Sequence, residues 1–347
     1  MSLWCRLVAI AICLSCSLPM GVIAVVAQSA TIVLASEQEQ NAAEQALNQG
    51  MQQFQANQFA AAIASWQTAQ KLYQQAQNQT GAGTALFYLG MAYVTTNRYR
   101  DAISVLEPYL AIAPALKNPQ QEAQALGNLG IAYKELGRYG QAISTHQQAG
   151  KLMRSLSDSA GLGKVLTNLG NAFESVGDYS KATIAYQQSL KIAQQLGDRI
   201  GESVALGNLG AIYATVGNDQ EAISTLQTSL KLAQAIQYPS GQTSALLNLG
   251  STYHALRKLD QAIPFYEKSL ELARQLGDRH HEADALGSLG LVYEDKKDFA
   301  KALDYHRQRM EIVRSLDDPE AQAIALNNQA HTLLAAGKLA EAEANLR

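Results

Sequence analysis

The sequence predicts an all-α fold, a solenoid built from antiparallel helix pairs stacked side by side. Three observations carry this expectation. Ala and Gln are abundant in a chain of 347 residues whose aromatic share is 7%, a mixture that suits helices better than strands rich in Val, Thr and aromatic residues. Glycine recurs every forty residues, at Gly50, Gly90, Gly130, Gly170, Gly210, Gly250 and Gly290, with Ala330 continuing the series. Twelve residues after each of these stands an alanine: Ala62, Ala102, Ala142, Ala182, Ala222, Ala262, Ala302 and Ala342. A fixed spacing held over that length marks stacked units, because one helical hairpin cannot bury its apolar face alone.

The first 35 residues read as an address segment. Arg6 is followed by thirty residues without a charge, and Leu7 to Ala27 is broken only by Ser15 and Ser17 among polar residues. A positive start, an apolar run and then small residues, at Val25-Val26-Ala27 or Val33-Leu34-Ala35, are the layout of a cleavable secretory signal. Two alternatives stay open: an uncleaved N-terminal anchor, since the run is long enough to span a bilayer, and lipid attachment at Cys16. In each case Arg6 stays inside and the side carrying Glu37 and Glu39 crosses, so the expectation is an exported chain. Residues 36–42 form a short lead-in.

Seven units of forty residues follow over 43–322. In the unit at 201–240, Leu206, Leu209, Gly210 and Tyr213 share one face of a first helix. Gly217-Asn218 then breaks the chain, with Gly suited to a left-handed stop and Asn to capping the next start. A second helix carries Ala222, Ile223, Leu226, Leu230 and Ala233. The expected packing is a close approach of the small Gly and Ala, with the aromatic three residues after the glycine (Tyr93, Tyr133, Phe173, Tyr213, Tyr253, Tyr293) filling the space beside it. The first unit departs from this pattern, with Gln53 in the aromatic place and fourteen glutamines between 37 and 80, so its helices are loosely specified.

At these residues the chain resembles the tetratricopeptide repeat (TPR) family in a forty-residue variant. The motif Ala-Leu-Gly-Asn-Leu-Gly-x-x-Tyr at 205–213 and the Leu-Gly-Asp linkers at 196–198 and 276–278 carry the resemblance, which covers about 43–347. It implies a right-handed superhelix whose first helices line a concave face. Residues 323–347 make an incomplete eighth unit, ending partway through its second helix. The expectation is therefore a chain shorter than its parent, with Leu333, Leu334, Leu339 and Leu346 poorly covered. In architecture, exported arrays of this kind resemble the front part of larger bacterial proteins, several of which precede a caspase-like (CHAT) peptidase domain. No catalytic residue of such a domain lies in this chain.

Composition narrows the function. A net charge of −3 offers no basic field for nucleic acid. The three cysteines, Cys5, Cys13 and Cys16, all precede the repeats, so a disulfide framework, a thiolate zinc site and a cysteine nucleophile are not expected there. His280 and His281 are adjacent and diverge around a helix, while His146 and His306 stand where other units place Tyr186 and Tyr266. No nucleophile elbow or phosphate loop is present, so no catalytic residue, metal, cofactor or small-molecule substrate is expected. A membrane enters only if the N-terminal segment stays uncleaved.

The candidate site is a groove for a protein or peptide. Asn128, Asn168, Asn208 and Asn248 stand two residues before their glycines, on the face turned away from the hairpin partner. A column of carboxamides can donate to and accept from an extended backbone whatever its side chains. The alternative is that each Asn bonds to the adjacent helix and sets repeat spacing. Lys134, Asn171, Glu174, His254, Glu294 and Asp295 lie one and two turns further on the same face. Their acidic balance favours a basic or neutral ligand segment.

Overall fold

A computed structural model of the protein describes the backbone of residues 20–316 and 319–346 and the side chains of 37–316, 319 and 321–344. The expected N-terminal signal falls outside the described residues up to residue 19. Among the described residues no helix is long and apolar enough to cross a membrane. The chain divides after Ser157 into two compact units.

The first unit contains α1 (Met20–Gln55), α2 (Phe59–Gln75), α3 (Gln79–Thr95), α4 (Tyr99–Leu116), α5 (Pro119–Glu135) and α6 (Tyr139–Ser155). The second contains α7 (Ser159–Ser175), α8 (Tyr179–Leu196), α9 (Arg199–Thr215), α10 (Asp219–Ala235), α11 (Pro239–Ala255), α12 (Leu259–Leu276), α13 (Arg279–Asp295), α14 (Phe299–Ser315), α15 (Pro319–Ala335) and α16 (Leu339–Leu346). Every described element is helical, and within each unit consecutive helices pack as antiparallel pairs. Odd-numbered helices are the first of each pair and carry the ladder glycines.

Turns stop and restart the helices at a twenty-residue beat. Positive φ recurs at Asn57, Gln77, Asn97, Lys117, Gly137, Ser157, Gly177, Gly197, Gly217, Gln237, Arg257, Gly277 and Lys297, half of that forty-residue step. Asn78, Asn118, Asp158, Asp178, Asp198, Asp278 and Asp298 then accept a backbone N–H three residues on, at 2.8–3.2 Å, and so cap the next helix. Asn218 departs from expectation. It holds the N-cap position of α10 but its side chain makes no cap bond, and Asp219 and Glu221 in the first turn supply the favourable charge at that end instead.

The structure corrects the expected packing of the ladders. Each ladder alanine from Ala62 to Ala302 is fully buried, yet the side chain lying over each glycine is the large one sixteen residues on. In the first unit these are Trp66 over Gly50, Leu106 over Gly90 and His146 over Gly130. In the second they are Tyr186 over Gly170, Leu226 over Gly210, Tyr266 over Gly250 and His306 over Gly290. A Cβ on any of these glycines would fall within 2.6 Å of the covering side chain, so glycine makes room for a large residue rather than for alanine. Each covering side chain is buried to 0–1% exposure, a burial that contributes about 1.5–3 kcal/mol for an apolar residue.

Two further expectations change. The first unit is firmly built: Gln53 accepts from Ser65 at 2.7 Å, and Phe54, Phe59, Trp66 and Tyr88 make successive ring contacts of 5.2–5.6 Å in place of the missing aromatic. Leu333 is buried, because α16 folds back onto α15, whereas Leu334 and Leu339 are exposed as expected. Leu346 lies outside the described side chains.

Candidate functional site

A residue two before a ladder glycine lies about 200° around the helix from it, so it points away from the hairpin partner. Asn128 on α5, Asn168 on α7, Asn208 on α9 and Asn248 on α11 take that direction, and all four are half-buried. The competing expectation, an Asn tied to its neighbouring helix, holds only for Asn208, whose Nδ2 stands 3.5 Å from Asn171 Oδ1. Asn128, Asn168 and Asn248 make no side-chain hydrogen bond among the described residues. Their carboxamides are therefore available in both donor and acceptor senses.

One turn further on, the residues fare differently. Asn171 and Glu174 meet over α8, where the Tyr186 hydroxyl lies 2.6 Å from Asn171 Oδ1 and 2.8 Å from Glu174 Oε2. Burial, and secondarily the Glu174 charge, push the Tyr186 phenol above its ordinary pKa, so it stays a neutral donor. Lys134 in the first unit pairs with its neighbour Glu135 at 2.7 Å. His254 bonds to Asp295 at 2.8 Å, joined there by Arg257 at 2.6 Å, which ties α11 to α13. The hydrogen bond from His254 is the main force holding the Asp295 carboxyl below the ordinary range, with Arg257 adding to it. Glu294 is engaged by His331 at 2.6 Å and by the Thr332 hydroxyl, tying α13 to α15. The sequence-predicted residues thus gather as Asn171, Glu174 and Asn208, while His254 and Glu294 serve contacts between neighbouring first helices.

Two hollows lie in the second unit, the first of them beside Asn168. One, of about 360 Å³, has Lys164, Thr167 and Asn168 of α7 on its polar side and Ile192, Leu196 and Ile200 on its apolar side. The other, of about 350 Å³, is lined by Ser251, His254, Tyr266, Ser288 and Leu291. Ile200 and Leu291 are among the large apolar side chains left exposed. An aliphatic side chain and a hydrogen-bonding backbone are what such a surface accommodates.

Sequence reasoning missed several groups. Tyr186 was visible only as a packing residue, yet it organises Asn171 and Glu174. Ser189, Ser229 and Ser269 form a hydroxyl column at the forty-residue step, donating to the carbonyls of Gly163, Ser203 and Thr243 at 2.8–3.2 Å. Their common spacing was the available signal. Asp278, His281 and Ser244 form a chain of bonds, Oδ2 to Nδ1 at 2.7 Å and Nε2 to Oγ at 3.1 Å. That order matches a hydrolytic triad. Ser244, however, sits mid-helix with its amide in the α11 ladder, and Asp278 is committed to capping α13, so the chain ties α11 to α13. Among the described residues, no three His, Cys, Asp or Glu side chains are grouped to hold a metal ion.

A family model described as tetratricopeptide repeat matches residues 121–195, 161–235 and 242–315, more than half of the chain, and a second of the same description matches 47–116. No curated protein sequence matches the chain. Among solved structures it is similar to a signal transduction ATPase (STAND) protein with a tetratricopeptide repeat sensor from Pyrococcus horikoshii, with TM-score 0.60 and 19% identity. That alignment covers 90% of this chain but 46% of the other, so the chain spans less than half of that protein's length. It is similar to the apo form of the quorum sensor NprR from B. thuringiensis, with TM-score 0.70 and 18% identity over 88% of this chain and 85% of that one. It is also similar to a Rap protein complexed with competence and sporulation factor, with TM-score 0.53 and 17% identity over 78% and 74%. At these identities the likeness is one of fold.

Proposed function

The chain belongs to the tetratricopeptide repeat family, and we propose that it is an exported protein-interaction scaffold that takes an extended peptide or protein segment along its first helices. The observation that carries this reading is the row of half-buried carboxamides in the second unit, of which Asn168 and Asn248 have no internal partner among the described residues, together with that unit's two hollows, one of them lined by Asn168. Asn128 lies in the first compact unit, and Asn168, Asn208 and Asn248 repeat the position in the second, within an array read as seven forty-residue units over 43–322 and a partial eighth over 323–347. Each Asn offers one acceptor and two donors to a ligand backbone, while the hollows select side chains. Binding costs little ordering, because the helix pairs carrying Gly50 through Gly290 are each fixed by a glycine–large-residue contact. The structural likeness to a Rap protein complexed with competence and sporulation factor supports an array of this fold taking a bound partner. Export rests on the apolar run from Leu7 to Ala27.

The test is affinity capture from cell-envelope extract with the full chain as bait. A variant with Asn128, Asn168, Asn208 and Asn248 all changed to Ala serves as control. A protein retained by wild type and lost by a folded variant supports the groove, and identical retention by both baits contradicts it.

A second reading is favoured by the STAND protein, in which a repeat array is described as a sensor. On it, the array is the sensing half of a larger protein whose effector follows residue 347, a caspase-like peptidase if the architectural resemblance holds. A stop codon directly after the Arg347 codon would sink it.

A further inference from the structure

Within the proposed groove, on which this inference rests, we infer that Glu174 and Asn171 form the subsite for a lysine or arginine side chain of the ligand. The argument comes from comparing the same place in different repeats. Three carboxylates stand four or five residues after a ladder glycine on the second unit's first helices: Glu174, Glu294 and Asp295. Donors from neighbouring first helices, and from the turn after α11, satisfy two of them. Glu294 is held by His331 and Thr332, which lie 37 and 38 residues further on. Asp295 is held by His254 and Arg257.

Glu174 has no such partner. The positions 37 and 38 residues beyond it are Ala211 and Ile212, neither of which carries a donor or a charge. Its hydrogen bond comes from the Tyr186 hydroxyl at Oε2, and no cation pairs with it among the described residues. Tyr186 is fully buried and fixes the carboxylate without neutralising it. The neighbouring Asn171 oxygen, 2.6 Å from the Tyr186 hydroxyl and 3.5 Å from Asn208 Nδ2, lies on the same face, while the spare acceptors belong to the carboxylate. A fixed, half-buried carboxylate with acceptors to spare, and with an alanine at the repeat position where its counterpart Glu294 meets an imidazole, is complementary to an ammonium or guanidinium group. Ten residues earlier on α7, roughly 15 Å along the helix axis, Lys164 flanks the apolar hollow with the opposite sign, so the ligand's direction along α7 is set as well.

The experiment captures Nα-acetylated random heptapeptides on the immobilised full chain and reads the retained sequences by mass spectrometry. Three variants accompany wild type: Glu174→Gln, which keeps the oxygen for Tyr186 and removes the charge; Ala211→Lys, which places an internal cation where His331 stands for Glu294; and Glu221→Gln, an exposed charge control on α10. Wild type and Glu221→Gln are expected to enrich Lys and Arg up to about fivefold over the pool, the size of a partly exposed ion pair. Both other variants should retain peptides without that enrichment. Retained peptides with no Lys or Arg excess in wild type, or an excess that survives Glu174→Gln, would overturn the subsite and leave the groove standing. No retention by wild type would overturn the groove and the subsite together.

Discussion

Replacing Gly170 with Ala tests the contact that recurs in the helix pairs carrying Gly50 through Gly290. A Cβ at residue 170 would lie 2.6 Å from Tyr186 Cδ1 and nearer still to Cε1, against an ordinary carbon–carbon separation of about 3.5–4.0 Å. Tyr186 is fully buried, so its ring cannot swing aside without leaving its bonds to Asn171 and Glu174. Overpacking of this kind costs about 1–3 kcal/mol, and loss of the phenol's partners adds about 1–3 kcal/mol. Alanine's better helix propensity returns only about 1 kcal/mol, so a net destabilisation of roughly 1–5 kcal/mol is expected. Urea unfolding followed by far-ultraviolet circular dichroism reads it as a lowered midpoint. Gly207→Ala is the matched control, because the nearest atom to its Cβ would be Ser229 Oγ at 3.5 Å, an ordinary contact. That change should be neutral or stabilising by up to about 1 kcal/mol. Equal effects of the two substitutions would refute the reasoning. A double variant with Tyr186→Ala adds a check, since alanine at 170 should then partly refill the space and recover stability.

The remaining predictions concern pH, caps and hydroxyls. His146 and His306 are buried with neither ring nitrogen bonded, and burial, with Lys134 nearby for His146 and Arg309 for His306, holds both at a pKa of about 4, Glu294 offsetting part of the effect on His306. The unfolded chain therefore takes up protons that the folded chain refuses. Stability is full above pH 6.5 and falls as the pH drops toward 4, by up to about 3 kcal/mol for each imidazole. His146→Leu, which repeats the pairing of Leu226 over Gly210, should flatten that part of a denaturation-midpoint profile, and an unchanged profile would contradict it. Asp198→Ala removes a cap bond of 2.9 Å to Gly201 and should cost about 1 kcal/mol, whereas Asn218→Ala, with no cap bond to lose, should cost clearly less in the same unfolding assay. Ser229→Ala removes a buried 2.8 Å bond to the Ser203 carbonyl and should lower stability by about 1 kcal/mol.

The fold was legible because a solenoid writes its period directly into sequence. The glycine and alanine ladders located both helices of each pair, and the Gly-Asp and Gly-Asn linkers located the turns at Gly197, Gly217 and Gly277. The partner of each glycine was harder to find, because Trp66, Leu106, His146, Tyr186, Leu226, Tyr266 and His306 share size and burial but not chemical type. A search by residue class passes over such a column. Many of the left-handed turn positions were hidden for a similar reason: Gln77, Lys117, Gln237 and Arg257 adopt positive φ without being Gly or Asn. The direction of the Asn column followed from helical geometry alone. Which side-chain pairs form across repeats did not, because His254 meets Asp295 and Glu294 meets His331 only through the offset between neighbouring first helices.

The claim that the first-helix face is the binding surface is tested most directly by placing a photocrosslinking amino acid at single positions in the full chain. Ala211, Ser251 and Leu291 lie on that face, and Gln188, Thr228 and Lys268 are exposed on the second helices of the same unit. Irradiation in cell-envelope extract should give a common crosslinked product from the first three positions and none from the others. Crosslinks confined to Gln188, Thr228 and Lys268 would place the binding surface on the second helices and contradict the account.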